Sequence, residues 1–203
     1  MGQGLHVGWR RLIAGCLKSG SVNLQLTSKL NPALKNLIDY GIGNLLCVDP
    51  WSNAHLVQND EKGLVDTESA QMDADEALMV FEMNLLPYNL NHLNYLRMPS
   101  TEGAKHYRER RNATTVSFGT TNYCGHIAIL HIDGNHSYAA AKADILAWSG
   151  FVVDGGWVIV DDYIWPYGDG PQRAGDEFMA ENQAGIDIAF VMGSALFLQL
   201  SSR

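Results

Sequence analysis

An α/β fold, with a mostly parallel sheet that closes in an antiparallel hairpin, is what this sequence predicts on three observations. Three apolar runs, L-L-C-V-D at 45–49, I-A-I-L-H-I-D at 127–133 and W-V-I-V-D-D at 157–162, read as buried strands, and each ends in acid. Segments with helical spacing lie between them, the pattern that builds parallel strands through crossover helices. The chain then closes with D-I-A-F-V-M-G-S-A-L-F-L-Q-L, two apolar runs joined by Gly193 and Ser194, which is a hairpin signal.

The elements follow in chain order. After the strand at 45–49, Pro50 forces the chain out of the sheet. Residues 53–75 are polar and acidic, and A-L-M-V-F-E-M-N-L-L then spaces apolar residues as a helix does, stopping before Pro87. L-N-Y-L-R-M at 93–98 predicts a short strand. P-S-T-E-G-A-K-H-Y predicts a helix start with Ser100 or Thr101 as N-cap and acid in the first turn. Residues 112–125, rich in Thr, Ser, Asn and Gly, read as a loop with at most one short strand. S-Y-A-A-A-K-A-D-I-L-A-W at 137–148 is a helix, V-V-D-G-G a turn that brings the chain back into 157–162, and residues 173–182 a further helix.

A chain of 203 residues and 22.3 kDa fits a single domain spanning 1–203, with 46% hydrophobic and 18% charged residues arguing against extensive disorder. Within it, residues 1–44 are expected to be an atypical or truncated N-terminal part. The formal charge of -8 repels a phosphate backbone, so no nucleic-acid partner is expected, and R-E-R-R at 108–111 reads as a solvated helix end. Cys16, Cys47 and Cys124 are too few and too far apart for a disulfide framework or a Cys-x-x-Cys metal knuckle. No segment approaches the roughly 18 apolar residues that a membrane helix needs. The expectation is a cytoplasmic protein with no membrane partner, and a homo-oligomer is left open.

In a parallel sheet, ligands bind beyond the carboxyl ends of the strands. Asp49, Asp133, Asp161 and Asp162 therefore fall on one rim. Asp133 and the Asp161–Asp162 pair end the two strands of one βαβ unit, and several carboxylates gathered there repel one another. A divalent cation relieves that cost, and all-oxygen ligation suits Mg²⁺, Mn²⁺ or Ca²⁺ better than zinc. Such an ion lowers the pKa of a substrate hydroxyl. His136, three residues after Asp133 at the start of the following helix, is placed to accept the released proton, a role imidazole side chains commonly fill. Trp51 and Trp165 each follow an acidic strand end and could line the crevice, whereas His126 and His131 read as rim or core histidines.

H-I-D-G-N-H-S-Y, the helix containing Asp144, G-G-W-V-I-V-D-D-Y-I-W and G-P-Q-R-A-G-D-E-F resemble the C-terminal half of class I S-adenosylmethionine-dependent methyltransferases. Within these the likeness is to metal-dependent sugar O-methyltransferases of the macrocin and mycinamicin type and to cephalosporin hydroxylase-like proteins, over residues 45–178. The resemblance implies a Rossmann-like methyltransferase sheet with S-adenosylmethionine and Mg²⁺ as cofactors. It implies Asp133, Asp161 and Asp162 as metal ligands, His136 as general base with Asp133 beside it in the catalytic centre, and Asp49 on the cofactor ribose. Ser100 falls near the adenine, and Asp133 also counts among the cofactor-binding residues. For the glycine-rich turn after the first strand there are two alignments. In one, Gly4 and Gly8 of G-Q-G-L-H-V-G-W-R supply it; in the other, S-V-N-L-Q-L-T-S is the first strand and L-T-S-K-L-N-P replaces the turn.

The implied activity is Mg²⁺-assisted methylation of a hydroxyl on a sugar or phenolic small molecule. Two other classes fit the residues: a catalytically decayed scaffold that keeps the fold, and a metal-dependent hydrolase using the acidic rim. The second lacks any Lys or Ser motif for phosphate.

Overall fold

The computed structural model describes residues 21–24, 43–55, 73–88 and 92–202. Seven of its strands form one sheet. They are β1 (Ser21–Leu24), β2 (Leu45–Asp49), β3 (Leu93–Arg97), β6 (Ile127–Ile132), β7 (Val152–Val160), β8 (Ile186–Met192) and β9 (Ala195–Leu200), in the spatial order β3-β2-β1-β6-β7-β9-β8. The pairs β3–β2, β2–β1, β1–β6 and β6–β7 are parallel, while β9 runs antiparallel to both β7 and β8. The expected α/β sheet with its antiparallel hairpin is present, and β9 is the strand that the hairpin inserts between its neighbours. The strand order reverses between β1 and β6, which makes the C-terminal ends of β1, β2 and β6 the crevice where such sheets take ligands.

Helices cover both faces. On one, α2 (Ser100–Arg110), α3 (Tyr138–Trp148) and α4 (Gly170–Glu181) bury Ala104, Tyr107, Ile145, Trp148, Ala174 and Phe178 against Leu46, Val48, Leu130, Val158 and Val160. On the other, α1 (Ala74–Leu85) presents Phe81 and Leu85 to Leu45, Cys47, Tyr95, Ile129 and Ile159. The period-two alternation of the strands sends odd and even residues to opposite cores, and because both faces are covered the strands read as continuous apolar runs. All six residues of β6 are buried. Among the described residues, no helix is long and apolar enough to cross a membrane.

Several local expectations are corrected. Within residues 112–125 lies a β-hairpin, β4 (Asn112–Thr115) with β5 (Gly119–Asn122), joined by a turn at 116–118 after which Gly119 opens β5 with φ +70. Its hydroxyls are structural: Thr121 Oγ1 donates to the Leu93 carbonyl at 3.1 Å, and Asn94, fully buried in β3, donates to the Ala113 and Gly119 carbonyls at 3.0 and 2.9 Å. Polar composition suggested a loop because these side chains bond to backbone, which composition does not reveal. The V-V-D-G-G stretch is the first half of β7 rather than a turn. Helix α2 has Pro99 at its N-cap position, with Ser100 and Thr101 inside the helix, and α4 starts at Gly170 with Pro171 in its first turn. Proline suits that position, having no N–H to leave unpaired. The central strand β1 occupies Ser21–Leu24, within the second of the two alternatives for the first strand.

Candidate metal and cofactor site

The site sits on the rim where β2, β6 and β7 end. Asp49 closes β2, and its Oδ1 accepts the backbone N–H of Trp51 at 2.6 Å. That bond holds Trp51 at φ +38, a conformation an L-residue adopts at a cost, and the indole is buried against Phe81 and Tyr95 with centroids 4.8 and 5.3 Å away. Arg97, at the end of β3, donates to the Trp51 carbonyl at 2.8 Å and pairs with Asp75. Burial raises the Asp49 carboxyl to about 6; the Trp51 N–H works against that rise and the charge of Asp133 adds to it. An acid held this way is primed for hydroxyl or cationic partners that stabilise its charged form.

β6 delivers Asp133 to the same rim. Beyond it, Asn135 Oδ1 accepts the Ser137 N–H at 2.9 Å, and Ser137 caps α3 by accepting from Ala140 N–H at 3.3 Å. These two bonds fix the loop between strand and helix, and with it His136. The start of α4 presses on that loop from outside. A Cβ at Gly170 would fall well inside contact distance of the His136 carbonyl oxygen and the Tyr138 nitrogen, so only glycine permits this approach.

The imidazole of His136 meets Asp162, Nε2 to Oδ2 2.8 Å, and its ring lies against Trp165 with centroids 4.2 Å apart. Trp165 in turn meets Tyr167 edge-on at 5.5 Å. Asp162 reaches His136 from a backbone at φ +48. Ligand atoms of Asp133, His136 and Asp162 all lie within 4.8 Å of one another, each residue partly buried. Two carboxylates so close together, with an imidazole beside them and solvent access for water ligands, are oxygen donors that fit a hard divalent cation.

Of the site residues expected from sequence, the structure therefore gathers Asp133, His136 and Asp162, with Asp49 near enough to feel the charge of Asp133. Asp161 turns elsewhere: its Oδ2 lies 3.4 Å from His131 Nε2, and its Oδ1 accepts the Asp162 N–H at 2.9 Å and the Ser194 hydroxyl at 3.3 Å. The His131 bond, followed by the Asp162 N–H, holds the Asp161 carboxyl below its usual range, against the opposing effect of burial. Ser100 is buried at the start of α2, where its Oγ accepts from Trp148 Nε1 at 2.9 Å. It also bonds to Asp144, whose carboxyl burial raises to about 6. Its hydroxyl is thus engaged in joining α2 to α3. Gly4 and Gly8 lie outside the described residues.

Sequence reasoning overlooked the pairing of His131 with Asp161. The signal was present, since His131 precedes Asp133 by two and so shares its face of the strand. It was hidden because a histidine within an apolar run looks like any core residue.

A family model described as a methyltransferase domain matches residues 26–163. No curated protein matches the chain in sequence. Among solved structures, it is similar to the O-methyltransferase NovP, with a TM-score of 0.62 and 16% identity over 95% of this chain and 80% of that one. CalS11, a calicheamicin methyltransferase, matches with a TM-score of 0.62 and 12% identity over 95% of this chain and 77% of that one. MycE, a methyltransferase from the mycinamycin biosynthetic pathway in complex with Mg and SAH, matches with a TM-score of 0.55 and 13% identity, covering 96% of this chain and 49% of that chain. At these identities the likeness shows a shared fold.

Proposed function

This chain belongs to the methyltransferase domain family and has the class I S-adenosylmethionine-dependent fold; we propose that it is an O-methyltransferase, assisted by Mg²⁺, that methylates a hydroxyl of a sugar or phenolic small molecule. The observation that carries this reading is the cluster of Asp133, His136 and Asp162 within 4.8 Å on the cofactor rim, next to the raised carboxyl of Asp49. The substrate class draws support from NovP, from CalS11, whose apo structure is described as a TDP-rhamnose 3'-O-methyltransferase, and from MycE, which has been solved with Mg, SAH and mycinamycin VI.

When bound, S-adenosylmethionine supplies a methyl group on a sulfonium, and a divalent cation lowers the pKa of an acceptor hydroxyl and neutralises the alkoxide charge. The chain's own residues do the rest. Asp49 would accept hydrogen bonds from the ribose hydroxyls of the cofactor, its carboxylate already aimed by the Trp51 N–H. Asp133 and Asp162 would hold the cation, and Asp161 steadies the turn that carries Asp162. His136 would take the acceptor proton, and Asp162 Oδ2, which accepts the Nε2–H at 2.8 Å, orients the imidazole and stabilises the imidazolium that forms. Trp165 covers one side of that imidazole and limits water there. Positioning and charge neutralisation supply most of the acceleration.

The test is methyl transfer from S-adenosylmethionine to a panel of nucleotide sugars, glycosides and catechols, read as S-adenosylhomocysteine formed. Turnover that stops with chelator and returns with Mg²⁺ is expected. Turnover undiminished in excess chelator removes the metal role. Absence of heat on titrating millimolar cofactor sinks the transferase reading and leaves a scaffold that keeps the fold.

A further inference from the structure

We infer that His131 is a positioning residue for the metal site: from inside β6 it holds Asp161, and through Asp161 the left-handed turn that carries Asp162 to His136. The inference rests on the metal-site reading above and adds a residue outside the Asp133–His136–Asp162 cluster.

β6 is otherwise Ile, Ala and Leu, and His131 within it is only 6% exposed. A polar ring in that position is costly unless bonded, and an aliphatic residue would fill the same space without that cost. Its Nε2 lies 3.4 Å from Asp161 Oδ2. Asp161 is held at three further points: its N–H donates to the Ile132 carbonyl at 2.9 Å, and its Oδ1 accepts from the Asp162 N–H and from Ser194 Oγ. The bond to Asp162 matters most. Asp162 sits at φ +48, where an L-residue stays only if its surroundings hold it there. Released from that conformation, the Asp162 backbone returns towards ordinary φ values and its carboxylate swings away from His136. The chain of dependence therefore runs from His131 to Asp161 to the Asp162 backbone, and from there to the 2.8 Å contact with His136. Groups that orient the carboxylates of a metal site commonly change metal affinity 10- to 100-fold when removed.

The experiment uses the full chain and two readouts. In the first, Mn²⁺ alone is titrated calorimetrically into wild type, His131→Phe, which keeps a ring without a donor, and His131→Gln, which keeps an N–H. His131→Phe is expected to bind about 10-fold or more weakly, with His131→Gln restored to within about 3-fold of wild type. In the second, thermal melts in chelator give the coupling between His136→Gln and Asp162→Asn in the wild-type and His131→Phe backgrounds; the coupling is expected to vanish in the latter. Should His131→Phe not fold, His131→Met takes its place in both readouts. Wild-type Mn²⁺ affinity in the apolar variant, or an undiminished coupling, overturns the proposal. If wild type takes up no Mn²⁺, the metal reading falls, and the coupling measurement alone decides the role of His131.

Discussion

Replacing Asp49 by Asn should stabilise the cofactor-free protein while weakening its hold on S-adenosylmethionine. Burial raises the Asp49 carboxyl from 3.8 to about 6, so at neutral pH the folded protein carries a charge that the unfolded chain holds more cheaply. The sign follows from linkage. Below pH 3.8 both states are protonated and the group contributes nothing. As pH rises past 3.8 the unfolded state ionises first, and the penalty grows until pH passes about 6, where it is complete. From those two values the penalty is about 0.5 kcal/mol at pH 4, about 1.5 kcal/mol at pH 5 and about 3 kcal/mol at pH 8. Asn keeps an oxygen for the Trp51 N–H but buries an amide N–H₂ with incomplete partners, which takes back about 1 kcal/mol. A net gain of about 2 kcal/mol at pH 8 raises Tm by about 4–8 °C for a chain of this length. The gain should shrink as pH falls, disappear near pH 4–5 and turn to a small loss below. Losing charge-assisted bonds to the ribose should weaken cofactor binding by about 10- to 100-fold. Melts across pH 4–8 in chelator, with calorimetry of S-adenosylmethionine at pH 8, test both halves. A variant that is no more stable than wild type at pH 8, or that binds cofactor as tightly, refutes the reasoning.

His136→Gln should lower kcat by about 10²- to 10⁴-fold with cofactor affinity unchanged, as expected for a group that only moves a proton, and calorimetry beside steady-state kinetics checks this. Gly170→Ala should lower Tm and activity together, because its Cβ meets the backbone of the His136 loop, which cannot yield as a side chain would; a cost of about 1–3 kcal/mol is expected in denaturant melts. Asp161, whose carboxyl is held low chiefly by His131, contributes stability that is present above pH 3.8 and lost as pH falls through its depressed value. Asp161→Asn should therefore lose stability at pH 6, and acid melts should show it converging on wild type as pH falls below 3.8 and through the depressed value.

The sheet was legible in the sequence because both of its faces are buried. L-L-C-V, I-A-I-L and W-V-I-V are continuous apolar runs, and helical patterns between them leave little alternative to parallel crossovers. The hairpin at 186–200 announced itself through Gly193, which takes φ +64 in the turn. The β4–β5 hairpin was not legible, since its Thr115 and Thr121 hydroxyls and its Ala113 and Gly119 carbonyls are satisfied by Asn94 and Leu93, 19 to 28 residues away in sequence.

For the site, the sequence by itself determined which residues stand at strand ends. Chain direction in a parallel sheet carries every terminal acid to one rim, so Asp49, Asp133, Asp161 and Asp162 had to arrive there together. It did not determine which way each carboxylate turns. Asp161 and Asp162 are adjacent and chemically identical, yet one bonds inward to His131 and the other outward to His136. That division depends on the φ of one residue, on a histidine from the neighbouring strand and on a serine in the hairpin turn. Such contacts join positions about 30 residues apart, and only the folded chain brings them within hydrogen-bonding range.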